Sequence, residues 1–221
     1  IEDYNSIKEY YQMRRPETAD SNILDLYIWL NCYPTWYFTN DKGLMWVAKS
    51  EDGQYYSSIP CCKDEDLKEC FLETQKYFNE VLQKKLVMYV VDRAAVDLLQ
   101  LPEDEYVVVP DRTYADYVYD AEKLRTFSGK KYHKKKNHLN AFKREYEGRY
   151  EFKFLSKKDE PEILDFLEDW KKHKSDTEEH EFIDSEAVGI KYILEHEEVF
   201  DYKIGAVYVD NKLEAFTIGN Y

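Results

Sequence analysis

The sequence lacks the short motifs that build phosphate-loop, dinucleotide-binding or serine-nucleophile sites. It has only 7 glycines in 221 residues, and they are too scattered to form a glycine-rich loop. The four cysteines, Cys32, Cys61, Cys62 and Cys70, include no C-x-x-C pair, which argues against a zinc site. We therefore predict reduced, structural thiols, as is usual in a cytoplasmic protein.

Long apolar runs are also missing. The longest, at residues 86–91, is far shorter than the roughly 20 apolar residues needed to cross a bilayer. The charged fraction is 34% and the mean hydropathy is −0.74. We therefore predict no integral membrane segment and a cytoplasmic location. The 21 tyrosines supply ample material for folded cores, and the length is sufficient for two domains of about 100 residues each.

Basic residues are few overall but concentrated in one place. The chain has 31 Lys and Arg against 45 Asp and Glu, and nine of the basic residues lie in residues 123–144, hereafter the basic segment. This segment also holds two histidines and no acidic residue. Such segregation predicts local attraction of a phosphate-rich or carboxylate-rich partner, because the acidic surroundings repel the same partner.

The pattern of apolar and turn residues predicts an ordered series of elements before the basic segment. Two helices are followed by three short strands with turn sequences between them, which predicts an antiparallel meander. A helix, a buried strand, a short helix and another strand come next. The predicted ranges are 4–14 and 22–29 for the first helices, 36–39, 44–49 and 54–59 for the meander, and then 64–83, 86–91, 94–101 and 106–109.

Part of this order starts again after the basic segment. A strand at 150–155, helices at 160–172 and 185–197, and a hairpin of 204–209 with 213–219 are predicted, and Val188, Tyr192 and Ile193 are expected to face inward. The repetition suggests a tandem duplication with an incomplete second copy, since the chain ends at Tyr221. The predicted division is a first domain at 1–120, a basic linking helix at 121–146 and a second domain at 147–221.

The order of elements resembles the GNAT acyltransferase fold. Residues 117–142 also resemble the linking motif of the bacterial family named after the phosphatidylglycerol lysyltransferase C-terminal domain, roughly Y-(L/V)-Y-x-x-E-x-L-x-x-L-x-G-(K/R)-x-x-H-x-K-(R/K)-N-x-(I/L)-N-x-F. Phe127 stands where this motif usually has Leu. The matching residues are Glu122, Gly129, Lys130, His133, Lys135, Lys136, Asn137, Asn140 and Phe142.

The resemblance implies an α/β fold of mixed, mainly antiparallel sheets flanked by helices, arranged as tandem GNAT-like domains of which the second is incomplete. It also implies an acyl- or aminoacyltransferase whose donor is an aminoacyl-tRNA or an acyl-CoA thioester, with the acceptor left open. Characterised relatives move an amino acid from aminoacyl-tRNA to a lipid head group and carry membrane spans that this sequence lacks. No permanently bound cofactor, no metal and no DNA partner are expected, and no oligomeric state is predicted.

A GNAT enzyme holds its donor pyrophosphate on backbone N–H groups of a glycine-containing turn at a helix N-terminus. At the matching place in the first copy, residues 58–66 read Ser-Ile-Pro-Cys-Cys-Lys-Asp-Glu-Asp. There is no glycine, Pro60 removes one N–H, and three carboxylates crowd the helix start. We therefore do not expect this copy to bind acetyl-CoA in the conventional way, and no catalytic residue is assigned.

The basic segment supplies the candidate donor site. Its helix is predicted to turn Tyr132, Leu139 and Phe142 inward and to expose a polar side with His133, Asn137, Asn140 and Arg144. The side chains expected to hold tRNA or head-group phosphates are Lys130, Lys131, His133, Lys134 and Lys135.

Three other interpretations stay open. The basic segment is equally compatible with a solvated linker helix packed against acidic domains. It also suits a non-catalytic module that docks RNA or an acidic protein, and it suits a purely structural partner. Asn137 and Asn140 fit a structural role in which they tie the helix to neighbouring backbone.

Two further groups of residues lie near the predicted loop at 171–181. By analogy with GNAT folds, Trp170 and Glu181 are candidates to line an acceptor pocket. The histidines and carboxylates of the loop match no named metal site, so no metal is predicted there. These residues are His173, Glu178, Glu179, His180 and Glu181.

Overall fold

A computed structural model describes residues 2–14, 18–173 and 180–220, without the side chains of 180–182. The chain divides into two compact units, Ile1–Asp116 and Tyr117–Tyr221. The basic segment belongs to the second unit. The three-part division predicted from the sequence stays a prediction, and Pro16, expected to end the first helix, lies outside the described residues.

The first unit contains two helices, a small antiparallel sheet and two further helices. The predicted meander is confirmed, since β1 pairs with β2 and β2 with β3, all antiparallel. One strand, β4, was not predicted. It is an additional antiparallel partner of β2, besides β1 and β3. The bounds are α1 Tyr4–Tyr11, α2 Ile23–Trp29, β1 Thr35–Thr39, β2 Gly43–Lys49, β3 Tyr55–Tyr56, β4 Cys61–Cys62, α3 Leu67–Lys76, a π-helical turn Tyr77–Val81, and α4 Arg93–Leu99.

Strand β2 is the centre of the first unit because it is apolar on both faces. Met45 packs in the core with Leu67 and Phe71 of α3. Successive side chains of a strand point to opposite faces, and Trp46 accordingly meets the ring of Tyr11 from α1, at 6.2 Å between centroids. A continuous apolar run thus forms a strand with a helix on each face.

Two strands predicted from the sequence are not formed. At 86–91, only Met88 bridges Ser57, and Val90 has a φ of 55°. That left-handed conformation breaks the pleat, so the strand prediction was wrong. At 106–109, the Tyr106 N–H donates to Pro102 in a turn and Val107 is 88% exposed. Without a partner strand, β-prone residues do not form a ladder.

The second unit begins with two helices and continues with a three-stranded antiparallel sheet in the order β5-β6-β7. The predicted strand, helices and hairpin are all present. Asp210 and Asn211 form the tight hairpin turn with positive φ of 51° and 65°. The bounds are α5 Ala121–Thr126, α6 His133–Glu145, β5 Tyr150–Leu155, α7 Glu160–His173, α8 His180–Glu195, β6 Tyr202–Val209 and β7 Lys212–Asn220.

Helices α7 and α8 cover one face of this sheet. Ile163 and Leu167 of α7 pack with Ile190 and Leu194 of α8 against buried residues of all three strands. The prediction that Val188 faces inward was wrong, since it is 51% exposed. Two residues along a helix are about 200° of rotation, so burying Ile190 turns Val188 outward. Within the described ranges, no helix is long and apolar enough to cross a membrane.

Candidate functional site

The basic segment folds into two helices joined by a short turn. The Asp120 side chain accepts the Lys123 N–H at 3.0 Å and so caps α5. Phe127 ends α5 with a φ of 49°, and Gly129, with a φ of 90°, turns the chain into the next helix. A 3-10 turn, Lys130–Tyr132, leads directly into α6. The single linking helix predicted at 121–146 is thus interrupted at residues 127–129, and the part from Lys130 onward is helical.

Aromatic side chains anchor this helix. Tyr132 is buried, and its ring centroid lies 6.4 Å from those of Tyr119 and Phe127. At the other end, Phe142 packs 5.2 Å from Tyr150 of β5. The predicted inward side is thus confirmed. The residues predicted to lie on the polar side, His133, Asn137, Asn140 and Arg144, are all exposed.

Most cations of the basic segment are unpaired within their unit. Lys123 pairs with Asp120 at 3.4 Å, and Arg125 pairs with Glu122 at 3.2 Å. Considering only described residues of the second unit, the other seven have no carboxylate oxygen within 4.0 Å, and all are exposed. Their positive potential is therefore not neutralised locally. These seven, hereafter the unpaired cations, are Lys130, Lys131, Lys134, Lys135, Lys136, Lys143 and Arg144.

The charge at the start of α6 is the reverse of what a helix usually carries. Neither the 3-10 turn nor the first turn of α6 has an acidic residue. The N-cap positions, Gly129 and Tyr132, provide no side-chain cap to the backbone N–H groups that follow. The N-terminal end of the helix dipole is positive, so Lys131 and Lys134 there add repulsion to one another and to the dipole. A bound anion relieves that repulsion. Every residue predicted to hold phosphate lies in this region.

Sequence reasoning missed an aromatic pair beside these cations. The Lys135 Nζ lies 5.4 Å from the ring centroid of Tyr119. The Tyr117 ring stacks on Tyr119, with centroids 6.4 Å apart and planes inclined by 15°. The available signal was two tyrosines one residue apart just before a lysine-rich stretch. From the sequence alone, these two tyrosines were recognised only as part of the family motif.

The first unit offers no phosphate-binding turn at the place where a GNAT fold has one. Cys61 and Cys62 are paired with Leu44 and Gly43 as strand β4. The following turn, Asp64–Asp66, places three carboxylates at the helix start. This acidic strand-to-helix connection is unsuited to a pyrophosphate.

A cleft in the first unit lies beside this connection, but the arginine in its lining is already paired. Its lining includes Tyr11, Arg14, Asp20, Trp46, Ser58 and Cys61. One Arg14 guanidinium nitrogen donates to both carboxylate oxygens of Asp92, at 2.6 and 2.7 Å, and the Nε lies 3.3 Å from Asp64. Arg14 is thus already neutralised by protein carboxylates.

Three of the four thiols of the first unit are not poised as nucleophiles. Burial raises the pKa of Cys61 to about 12 and also raises the pKa of Cys62 and Cys70. A thiol in this state stays protonated at neutral pH, and the thiolate is the reactive form. All four cysteines are free in the structure, and their role as structural thiols stays a prediction.

The residues proposed for the acceptor pocket are not tested by the geometry. Trp170 is half-buried on α7, and the side chain of Glu181 lies outside the described residues. The His173 Nδ1 lies 2.7 Å from the Asp169 carbonyl oxygen of its own helix. The remaining residues of the loop, 178–180, fall wholly or partly outside the description. Within the described ranges, no cluster of three potential metal ligands occurs.

Fold and site together define a mixed α/β protein with antiparallel sheets, flanking helices and an exposed cationic helix. A family model narrows this class. The model for the phosphatidylglycerol lysyltransferase C-terminal region matches residues 12–221, and the chain belongs to that family.

Two individual proteins are similar to this chain, one identified by its structure and one by its sequence. The crystal structure of a conserved protein of unknown function from Bacteroides thetaiotaomicron has a TM-score of 0.82 and 26% sequence identity, over 99% of this chain and 72% of that one. An uncharacterised protein of Mycoplasmoides gallisepticum is 28% identical over 100 residues, which is 45% of this chain. The matched part spans only 32% of that relative's length.

Proposed function

We propose that this chain is a tandem GNAT-like acyl- or aminoacyltransferase domain that holds its donor by the donor's phosphates. The donor is an aminoacyl-tRNA or an acyl-CoA, and the acceptor remains open. The group of unpaired cations at the start of α6 carries the proposal. The donor-binding side chains are Lys130, Lys131, His133, Lys134 and Lys135.

The order of elements in the two units supports a duplicated GNAT-like architecture. In the first unit, α1 and α2 precede an antiparallel meander. In the second, β5 is followed by α7 and α8, and then by the hairpin of β6 and β7. Two helices thus lead into consecutive antiparallel strands in each unit, as in the GNAT order.

Of the two donors, the observations favour aminoacyl-tRNA. The unpaired cations run from Lys130 to Arg144, a rise of about 20 Å along a helix. A polynucleotide presents phosphates at intervals over such a distance, whereas a CoA thioester presents only a few close together. The acidic helix start at Asp64–Asp66 also gives the first unit no pyrophosphate cradle.

A second candidate function is a non-catalytic module that docks RNA or an acidic partner through the same helix. The raised pKa values of Cys61, Cys62 and Cys70 favour this alternative, since they remove these three cysteines as nucleophiles. Both functions require the cations. They differ in whether an aminoacyl or acyl group leaves the donor.

Binding and transfer assays test the proposal. We expect the triple variant Lys130→Glu, Lys131→Glu, Lys134→Glu to bind bulk tRNA at least tenfold more weakly than the unmodified chain in filter binding at fixed salt. The matched control is Lys68→Glu, Lys84→Glu, Lys85→Glu, which makes the same charge change at exposed lysines of the first unit. Equal losses in both variants would show a general charge effect and contradict the site.

The second arm separates the enzyme from the docking module. Release of the amino acid from aminoacyl-tRNA, or stabilisation by a CoA thioester in a thermal-shift assay, supports the transferase. RNA binding without either response supports the module. If neither RNA nor thioester binds, the transferase and the RNA-docking module are both wrong.

A further inference from the structure

Two tyrosine rings stand exposed beside the unpaired cations. Tyr117 is 89% exposed and Tyr119 is 40% exposed, although both are large aromatic side chains. They stack on one another with an interplanar angle of 15°. An exposed aromatic ring next to lysines is the combination with which proteins bind single-stranded nucleic acid, since bases stack on the ring while cations hold the backbone.

The pair is held in place from one side. Tyr119 contacts the buried Tyr132 at 6.4 Å between centroids, and Tyr132 in turn contacts Phe127 at 6.4 Å. Lys135 lies over the Tyr119 ring at 5.4 Å. A buried aromatic therefore supports the inner ring of the pair, while Tyr117, at the outer end, offers a ring open to solvent.

One cation lies at this pair, and a second precedes it in the same helical run. Lys131 precedes Lys135 by four residues, so the two are neighbours on the same side of the helical run. Lys135 is already at the Tyr119 ring. Neither ammonium group has a carboxylate oxygen within 4.0 Å among the described residues of the second unit, which leaves both available to the phosphates on either side of a stacked base.

We propose that Tyr117 and Tyr119 form a base-stacking platform for a single-stranded end of an RNA, whose neighbouring phosphates bind Lys131 and Lys135. This rests on the proposed function, which makes an RNA the donor. The strand must be single because bases in a duplex are stacked on each other and present only their edges. The unpaired cations continue to Arg144, about 13 Å beyond Lys135 along the helix, which suits a chain of nucleotides better than one free nucleotide.

Removing the outer ring, that of Tyr117, tests base stacking separately from phosphate binding by the lysines. Tyr117→Ala is expected to weaken binding of a base-containing strand by about 5- to 150-fold, which corresponds to the roughly 1–3 kcal/mol of one stacked base. Tyr117→Phe keeps the ring and is expected to bind like the unmodified chain. Because Tyr117 is 89% exposed, neither change removes core packing. Tyr114→Ala, at a 56% exposed ring of the first unit, is the matched control.

The experiment measures the affinity of the full chain for two fluorescent probes at one salt concentration. One probe is a 12-nucleotide single-stranded RNA, and the other is an abasic strand of the same length with the same phosphates. We expect the unmodified chain to prefer the base-containing strand, and Tyr117→Ala to abolish that preference while leaving abasic binding unchanged. If Tyr117→Ala weakens both probes equally, or neither, the platform is wrong.

Two further arms separate this result from the proposed function. If the Lys130, Lys131, Lys134 charge-reversal variant loses the abasic strand while Tyr117→Ala changes nothing, the donor site stands and only the platform fails. If that triple variant keeps full binding of both strands, the proposed function fails as well. Coenzyme A is the third probe: if Tyr117→Ala weakens coenzyme A alone, the platform holds a free nucleotide and the RNA assignment is overturned.

Discussion

At the scale of single residues, the most constrained ion pair in the first unit joins Arg14 to Asp92. The Arg14 side chain is 7% exposed and the Asp92 side chain 2% exposed. Asp92 has a second task, because its Oδ1 accepts the Ala95 N–H at 2.8 Å and caps α4. The other partner of Arg14, Asp64, is 62% exposed at its side chain. How deeply each ion pair is buried, and not only the contact between its atoms, determines how much it contributes to the stability of the fold.

Removing Asp92 is expected to be far more damaging than removing Asp64. Asp92→Ala leaves a buried guanidinium without its main partner and uncaps α4, which should lower the free energy of unfolding by about 3–5 kcal/mol. Asp64→Ala removes an exposed partner and should cost less than about 1 kcal/mol. Urea unfolding of both variants measures the difference, and similar costs would show that the buried pair is not special.

A carboxyl group near the start of α2 predicts a pH dependence. Burial, and then the charge of Asp20, raises the pKa of Asp25 from an ordinary 3.8 to about 6. The folded state therefore binds this proton more tightly than the unfolded state. Ionisation of Asp25 therefore lowers the stability of the folded state, and this loss is absent below the ordinary pKa and complete above about pH 6.

The variant Asp25→Asn removes that cost. Its midpoint temperature of thermal unfolding, relative to the unmodified chain, should rise between pH 4 and pH 7 and then level off. Asp165→Asn, at an exposed position of α7, serves as the control and should show no such trend. A difference for Asp25→Asn that stays constant from pH 4 to pH 8 would contradict the raised pKa.

At the scale of elements, close approach in the first sheet requires a glycine. A Cβ added at Gly43 would lie 2.7 Å from the Cys62 Cβ and 3.1 Å from the Cys61 carbonyl oxygen. Both atoms belong to β4, which is paired with β2 and cannot move aside. In the second sheet, a Cβ at Gly205 would lie 3.1 Å from the Phe152 ring, which is 58% exposed. That ring has room to move.

The same substitution is therefore expected to have different effects at these two glycines. Gly43→Ala should lower the free energy of unfolding by about 1–3 kcal/mol, as expected for overpacking against fixed atoms. Gly205→Ala should cost less than about 1 kcal/mol, since the side chain that it meets is free to rotate. Chemical denaturation of the two variants measures both losses of unfolding free energy. Equal losses would mean that β4 can move aside.

At the scale of the whole molecule, the separation of charge matters most. A chain with a formal net charge of −14 exposes seven unpaired cations on one helical run. The net charge repels polyanions at long range, and only the local field of the helix attracts them. Binding of RNA should therefore depend on few phosphate contacts and be sensitive to each cation.

This predicts a measurable change in salt dependence. For single strands, the slope of the logarithm of the binding constant against the logarithm of salt is about −0.7 per neutralised phosphate. Lys134→Gln with Lys135→Gln should make the slope less steep by about 1.4. The control, Lys84→Gln with Lys85→Gln in the first unit, should leave the slope unchanged. An unaltered slope for the first pair would place the phosphates elsewhere.

Local patterns were sufficient for much of the fold and for part of the site. The meander and the last hairpin are present as predicted, and most of the linking helix predicted at 121–146 is helical, because each follows from apolar spacing and turn residues close in sequence. The basic segment was visible for the same reason. Its charge is a property of consecutive residues.

The sequence alone therefore determined which segments are helical and where positive charge collects, because those properties depend on near neighbours. Packing between segments far apart in the sequence decided which ion pairs are buried, which β-prone segments pair and which side chains meet the cations. It buried Arg14 against Asp92, which is 78 residues away, it left the β-prone residues at 106–109 without a partner strand, and it gave those at 86–91 only the bridge from Met88 to Ser57. It also brought Tyr119 onto Lys135. Such contacts depend on how distant parts of the chain meet in space, and no spacing along the sequence records that.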